Sequence, residues 1–207
     1  MAGRRSEDLK EVIRDFRRDQ IIDVARRLFG ERGTIEVSMD DIAVEAGVAR
    51  STVYVYFANR DELLRACLKA MYAIVQDRLA TVFAGAAEPE ERLAAVIRAL
   101  LEQIDEDPAF FRLAVATQGS RDTAGVAIDA EFFQIGLDVA RHLEDLVAEG
   151  QRGGRFRPID PARAASLVGQ QLYGALAVRA GEAESLPLDE AVGELCDFLV
   201  LGLSRPP

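Results

Sequence analysis

Five side chains able to bind nucleic acid fall between Arg50 and Tyr56: Arg50, Ser51, Thr52, Tyr54 and Tyr56. An arginine can bridge two acceptors on guanine or hold a phosphate. Serine and threonine can hydrogen-bond base edges or phosphates, and tyrosine offers a hydroxyl to phosphate and ring area to a thymine methyl. Ser38 and Arg60 each stand at the start of a predicted helix and can grip the phosphate backbone beside free helix N–H groups. Other chemistries lack their residues. The single histidine, His142, has no nucleophile motif to serve, and the glycine-rich run at 150–154 is not followed by the Lys-Ser/Thr of a phosphate loop. Asp40-Asp41 and Glu90-Glu91 are explained by helix starts, where acids suit the dipole. Cys67 and Cys196 are far apart and lack metal-ligand spacing. No catalytic residue, metal or cofactor is therefore expected, and the chain reads as a non-enzyme.

The elements that must position these side chains are helices. Ala, Leu, Glu and Arg dominate, and strand signals are almost absent. A first helix is predicted over 8–32, with Ile22, Ala25, Leu28 and Phe29 on one face and Gly33 as its stop. Ser38 caps a short helix to about Ala46, Gly47 supplies a left-handed turn, and a second short helix covers 50–57. Two short helices joined by a tight glycine turn make a helix-turn-helix. Ile42, Ala46, Val48, Val53 and Phe57 face inward against Leu28 and Phe29, leaving the polar set outside. The competing reading is an αα-hairpin with merely solvated polar residues, which two outward tyrosines on so short a helix argue against. Asn59 caps a long helix over 60–83, and further helices are predicted at 89–104, 108–118, to about 149, 161–180 and 188–203, about nine in all.

Residues 21–64 resemble the DNA-binding region of TetR-family transcriptional regulators. The likeness rests on Ile22-x-x-Ala25-x-x-Leu28-Phe29-x-x-x-Gly33 and Ile42-Ala43-x-x-Ala46-Gly47-Val48. It continues with Ser51-Thr52-Val53-Tyr54-x-Tyr56-Phe57-x-Asn59-Arg60-x-x-Leu63-Leu64. The resemblance implies an all-α fold: a three-helix helix-turn-helix domain (1–64) followed by a helical ligand-binding and dimerisation domain (65–207). It implies a homodimer, usually a repressor, released from DNA by a small ligand, with phosphate contacts from Arg60 and Tyr56. Two positions depart from the family pattern. Ala49 lacks the hydroxyl that often caps the recognition helix, and Val55 stands where His or Tyr is common.

In the second domain, Met71, Phe83, Phe110, Phe111, Phe132 and Phe133 could line an apolar effector pocket, with Gln170 and Tyr173 as polar anchors. The competing reading is plain core. The helix after Pro161 and the last helix are apolar around much of their circumference, which calls for partners on two sides. A four-helix dimer interface is expected there, with Leu172, Leu176, Val192, Leu195 and Leu199 taking part.

The 207 residues, 49% hydrophobic and 29% charged, suit a folded globular chain. No run approaches a membrane span and no apolar leader opens the sequence, so a cytoplasmic protein without a membrane partner is expected. Net charge is -10, but residues 1–65 carry only -1 of it, so the acid lies in the remainder. The expectation is a ligand-responsive transcriptional regulator that binds a palindromic double-stranded operator as a homodimer, a repressor released by a small apolar or aromatic effector. The alternative is a helical small-molecule-binding protein with a non-functional DNA reader.

Overall fold

The computed structural model describes residues 2–33, 36–85, 87–109, 112, 130–181 and 185–204; side chains are described outside 2–8 and 130–138. Among these residues the chain is all-helical, with eight helices and one isolated bridge between Phe156 and Ser204. They are α1 (Ala2–Arg32), α2 (Met39–Glu45), α3 (Arg50–Tyr56), α4 (Arg60–Phe83), α5 (Pro89–Glu106), α6 (Ala130–Arg152), α7 (Pro161–Gly181) and α8 (Leu188–Leu203). The helix expected over 108–118 lies largely outside the described residues. No helix among them is long and apolar enough to cross a membrane.

The residues divide into two compact units, with the division falling inside α4 after Met71. In the first unit, Ile21, Ile22, Ala25, Leu28 and Phe29 of α1 form a core with Ile42, Ala46, Val53, Phe57, Leu63 and Leu64, all buried. Val48, expected inward, is half-buried. This core fixes α3, because Val53 and Phe57 are its anchors.

The second unit packs α5 against α6, α7 and α8. Leu93, Val96, Ile97, Leu101, Leu143, Leu146, Val147 and Val168 are buried in it. The loop between α6 and α7 is tied by Gln151 Nε2, which donates to the carbonyls of Arg157 (2.9 Å) and Ile159 (2.6 Å). Phe156 folds back onto Gly150, where a Cβ would sit 2.3 Å from the ring, so that position demands glycine.

Candidate nucleic-acid interface

Each end of the helix-turn-helix is built from local hydrogen bonds. Ser38 has extended backbone angles, its Oγ accepts from the Asp41 N–H (3.2 Å), and its own N–H donates to Asp41 Oδ2 (2.8 Å). This is a reciprocal capping box. The Ser38 hydroxyl and N–H hold the Asp41 carboxyl below the usual carboxylate range. Ser38 therefore already has a structural task, and its hydroxyl is engaged within its own turn.

The turn after α2 closes with Gly47 N–H donating to Val44 O (3.1 Å) and Val48 N–H to Ala43 O (3.0 Å). Gly47 has φ +65°, the left-handed conformation that this helix ending requires. Gln20 of α1 adds a tie, its Nε2 donating to Ala46 O (3.3 Å). Nothing in the sequence pattern marked Gln20.

Ala49, the residue before α3, offers no side-chain cap, as a missing hydroxyl dictates. Arg50, Ser51, Tyr54 and Val55 are exposed, whereas Thr52 and Tyr56 are half-buried. Val55 is 72% exposed, so the position where a polar side chain is common presents an isopropyl group instead.

Arg50 is not free. Its Nε and Nη1 bind both oxygens of Asp40 (2.9 and 3.0 Å). Its guanidinium lies 5.6 Å from the Tyr54 ring centre. A hydrogen bond with Tyr54, and then the Asp40 charge, raise its pKa above the ordinary guanidinium value. Asp40, expected only as a helix-start acid, thus also sets the position of Arg50.

α4 starts with a second reciprocal cap. Glu62 N–H donates to Asn59 Oδ1 (2.8 Å), and Ala58 N–H donates to Glu62 Oε2 (2.7 Å). Arg60 in the first turn packs over Phe29, its guanidinium carbon 5.7 Å from the ring centre, with Nε buried and unpartnered. Cys67 Sγ donates to Ile22 O (3.5 Å), and burial pushes the thiol up to about 12, so it is not a nucleophile at neutral pH.

The effector candidates scatter. Met71 is buried in the first unit. Phe83 stacks on His142 at 4.2 Å. Phe110 and Phe111 lie outside the described residues, as do the side chains of Phe132 and Phe133. Gln170 and Tyr173 lie on the exposed face of α7, not in an enclosed cavity. Gln103 of α5, not singled out by the sequence, is 5% exposed with Oε1 unpartnered.

The dimer candidates turn inward: Leu172, Leu176, Val192 and Leu199 are buried within the single chain, and Leu195 is half-buried. What α7 and α8 leave outside is another set, Leu167, Val178, Phe198 and Leu201. An open groove of about 560 Å³ runs along these helices, lined by Leu101, Gln171, Ala175, Val178, Leu195 and Phe198.

Residues 21–67 match the family model described as bacterial regulatory proteins, tetR family. The regulator BetI of Rhizobium meliloti (strain 1021) is 35% identical over 82 residues, 40% of each chain. The chain thus spans about two fifths of the length of the curated relatives it matches. A TetR/AcrR-family regulator from Thermobifida fusca is 26% identical with a TM-score of 0.68, over 91% of this chain and 99% of that one. AibR, solved with isovaleryl coenzyme A and operator DNA, shares the fold with a TM-score of 0.71 at 20% identity, over 92% of this chain and all of that one (100%). Residues 21–67 thus carry a helix-turn-helix segment of the tetR-family type, and the fold of the whole chain is similar to that of a TetR/AcrR-family regulator.

Proposed function

We propose that this chain is a cytoplasmic DNA-binding repressor that sits on a palindromic operator as a homodimer and leaves it when a small apolar or aromatic effector binds the second unit. One observation carries the reading. α3 is clamped to the core by Val53 and Phe57 and holds Arg50, Ser51, Tyr54 and Val55 outward on a rigid seven-residue helix. Arg50 supplies guanine or phosphate contact, Ser51 and Tyr54 supply hydroxyls, and Val55 suits a thymine methyl. Thr52, Tyr56 and Arg60 add backbone contacts from the edges of the same surface, and Ser38 acts through the cap it forms.

That a small ligand binds is supported by a neighbour of the same fold, a FadR regulator from Bacillus subtilis solved with stearoyl-CoA. Gln103 adds a buried side-chain oxygen that has no hydrogen-bond partner among the described residues. The homodimer reading draws on Leu167, Val178, Phe198 and Leu201, large apolar side chains left exposed on α7 and α8. A Cβ on Gly174, on the same face of α7, would meet nothing within 4 Å, which leaves room for close approach of a second copy.

Selection of duplex DNA from a random pool, followed by anisotropy titration over a salt series, tests the reading. A palindromic winner bound two chains per site is expected. Arg50→Ala should weaken binding and flatten the logarithmic salt slope by about one. Enrichment of no sequence would favour a ligand-binding protein with a silent reader.

A further inference from the structure

α1 carries a second apolar seam that the helix-turn-helix does not use. Leu9, Val12, Ile13 and Phe16 follow the i, i+3, i+4, i+7 spacing of one helix face, and all are exposed, Phe16 to 71%. At roughly 100° per residue this seam lies on nearly the opposite side of the helix from Ile21, Ile22, Ala25, Leu28 and Phe29, which fill the core. It is therefore not a continuation of the core face. It also lies wholly ahead of the family-matched segment, residues 21–67. Val, Ile and Phe are modest helix formers, and a bare helix with such a face in water is marginal without a partner.

The charges beside the seam say what the partner is. By the same angular arithmetic, Lys10 and Arg17 border it on one side and Asp15 and Asp19 on the other. The stretch 9–20 holds Lys10, Arg14, Arg17 and Arg18 against Glu11, Asp15 and Asp19, a nearly balanced set that favours neither a phosphate backbone nor an anionic bilayer. A seam with one basic and one acidic border is complementary to itself. When two such helices run parallel, the basic border of each meets the acidic border of the other. When they run antiparallel, basic meets basic and acidic meets acidic.

We propose that residues 9–20 of α1 form a parallel helix-pairing site for the same segment of a second copy of this chain. Leu9, Val12 and Phe16 of one copy pack against their own counterparts. The contact is additional to the apolar face of α7 and α8 and does not depend on which DNA, if any, is bound. Only two turns of seam are available, so the pairing draws on the local concentration that another contact between copies provides.

Disulfide trapping in the full-length chain tests this, in a Cys196→Ser background that leaves only the buried Cys67. Leu9→Cys and Phe16→Cys, each alone, should link to themselves at least about tenfold faster than Glu11→Cys, which lies on the far side of the helix. Reversing Asp15 and Asp19 to Lys should slow that linkage. Linkage only in a mixture of Leu9→Cys with Phe16→Cys would mean antiparallel pairing and overturn the proposal. Rates equal to Glu11→Cys would overturn it too. So would protection of the Leu9→Cys thiol from labelling only when duplex DNA or anionic phosphatidylserine vesicles are added, since another partner would then cover the seam.

Discussion

Arg50 and Asp40 show how far residue type alone can carry an argument. The types in α3 were legible as chemistry, because guanidinium, hydroxyl and phenol are the groups that read DNA. Which of them are already engaged was not legible, because Asp40 sits ten residues away on another helix and meets Arg50 only after the turn at Gly47 folds. The ion pair is exposed, so breaking it costs little, but in the proposed complex DNA would have to displace Asp40 and accept a carboxylate near its phosphates. Asp40→Asn should therefore tighten operator binding, by up to about fivefold at low salt, with the gain shrinking as salt rises. Weaker binding in an anisotropy titration would show that Asp40 orients Arg50 productively. Ser38 behaves differently, because its hydroxyl serves the cap. Ser38→Ala should cost on the order of 1 kcal/mol of folding stability and leave the salt slope of DNA binding unchanged. The pH dependence follows from Asp41, whose carboxyl is held low in the fold by Ser38. Its contribution is full above the unfolded value near ~4 and is lost as pH falls through the lower folded value. Urea denaturation at pH 7 and pH 3 should show wild type and Ser38→Ala converging in acid.

At the scale of elements, boundaries marked by caps and glycines were legible, since those signals are local. Ser38, Gly47, Asn59, Pro89 and Pro161 each stand where a helix begins or ends. Side-chain direction on nearly all-apolar helices was not legible. α8 offers apolar residues on most of its circumference, so periodicity alone does not choose whether Leu199 or Phe198 faces the core; packing against α5 decides, burying Leu199 and leaving Phe198 63% exposed. The loop after α6 hides a similar constraint. Gly150 reads as one of several loop glycines, yet it is the helical residue on which Phe156 rests. Gly150→Ala should put a methyl into the ring and destabilise the chain by about 1–3 kcal/mol. Thermal melting should register the loss, and adding Phe156→Leu should recover part of it. No loss of stability would mean that the ring can shift at little cost.

For the molecule as a whole, charge and apolar surface divide the labour between the two ends of the sequence. Nine of the ten net negative charges lie beyond residue 65, so an acidic segment follows a nearly neutral reader. Like charge on that segment opposes its approach to DNA and leaves phosphate contact to the local cations of the first unit. On the proposed function, the seven-residue α3 offers one half-site only a short contact surface. In the proposed dimer, joining two readers raises the effective concentration of the second once the first is bound. The joining surface is then testable apart from the reader. Phe198→Glu with Leu201→Glu changes side chains that are exposed in the single chain, so folding stability should be nearly untouched. The same changes bury unpaired carboxylates if two copies meet through this face, so the variant should sediment as a monomer. Operator affinity should fall by about a hundredfold or more while the weak affinity for a single half-site stays as in wild type. A variant that stays dimeric and binds the full operator normally would move the joining surface elsewhere, and the seam on α1 would be the next place to look.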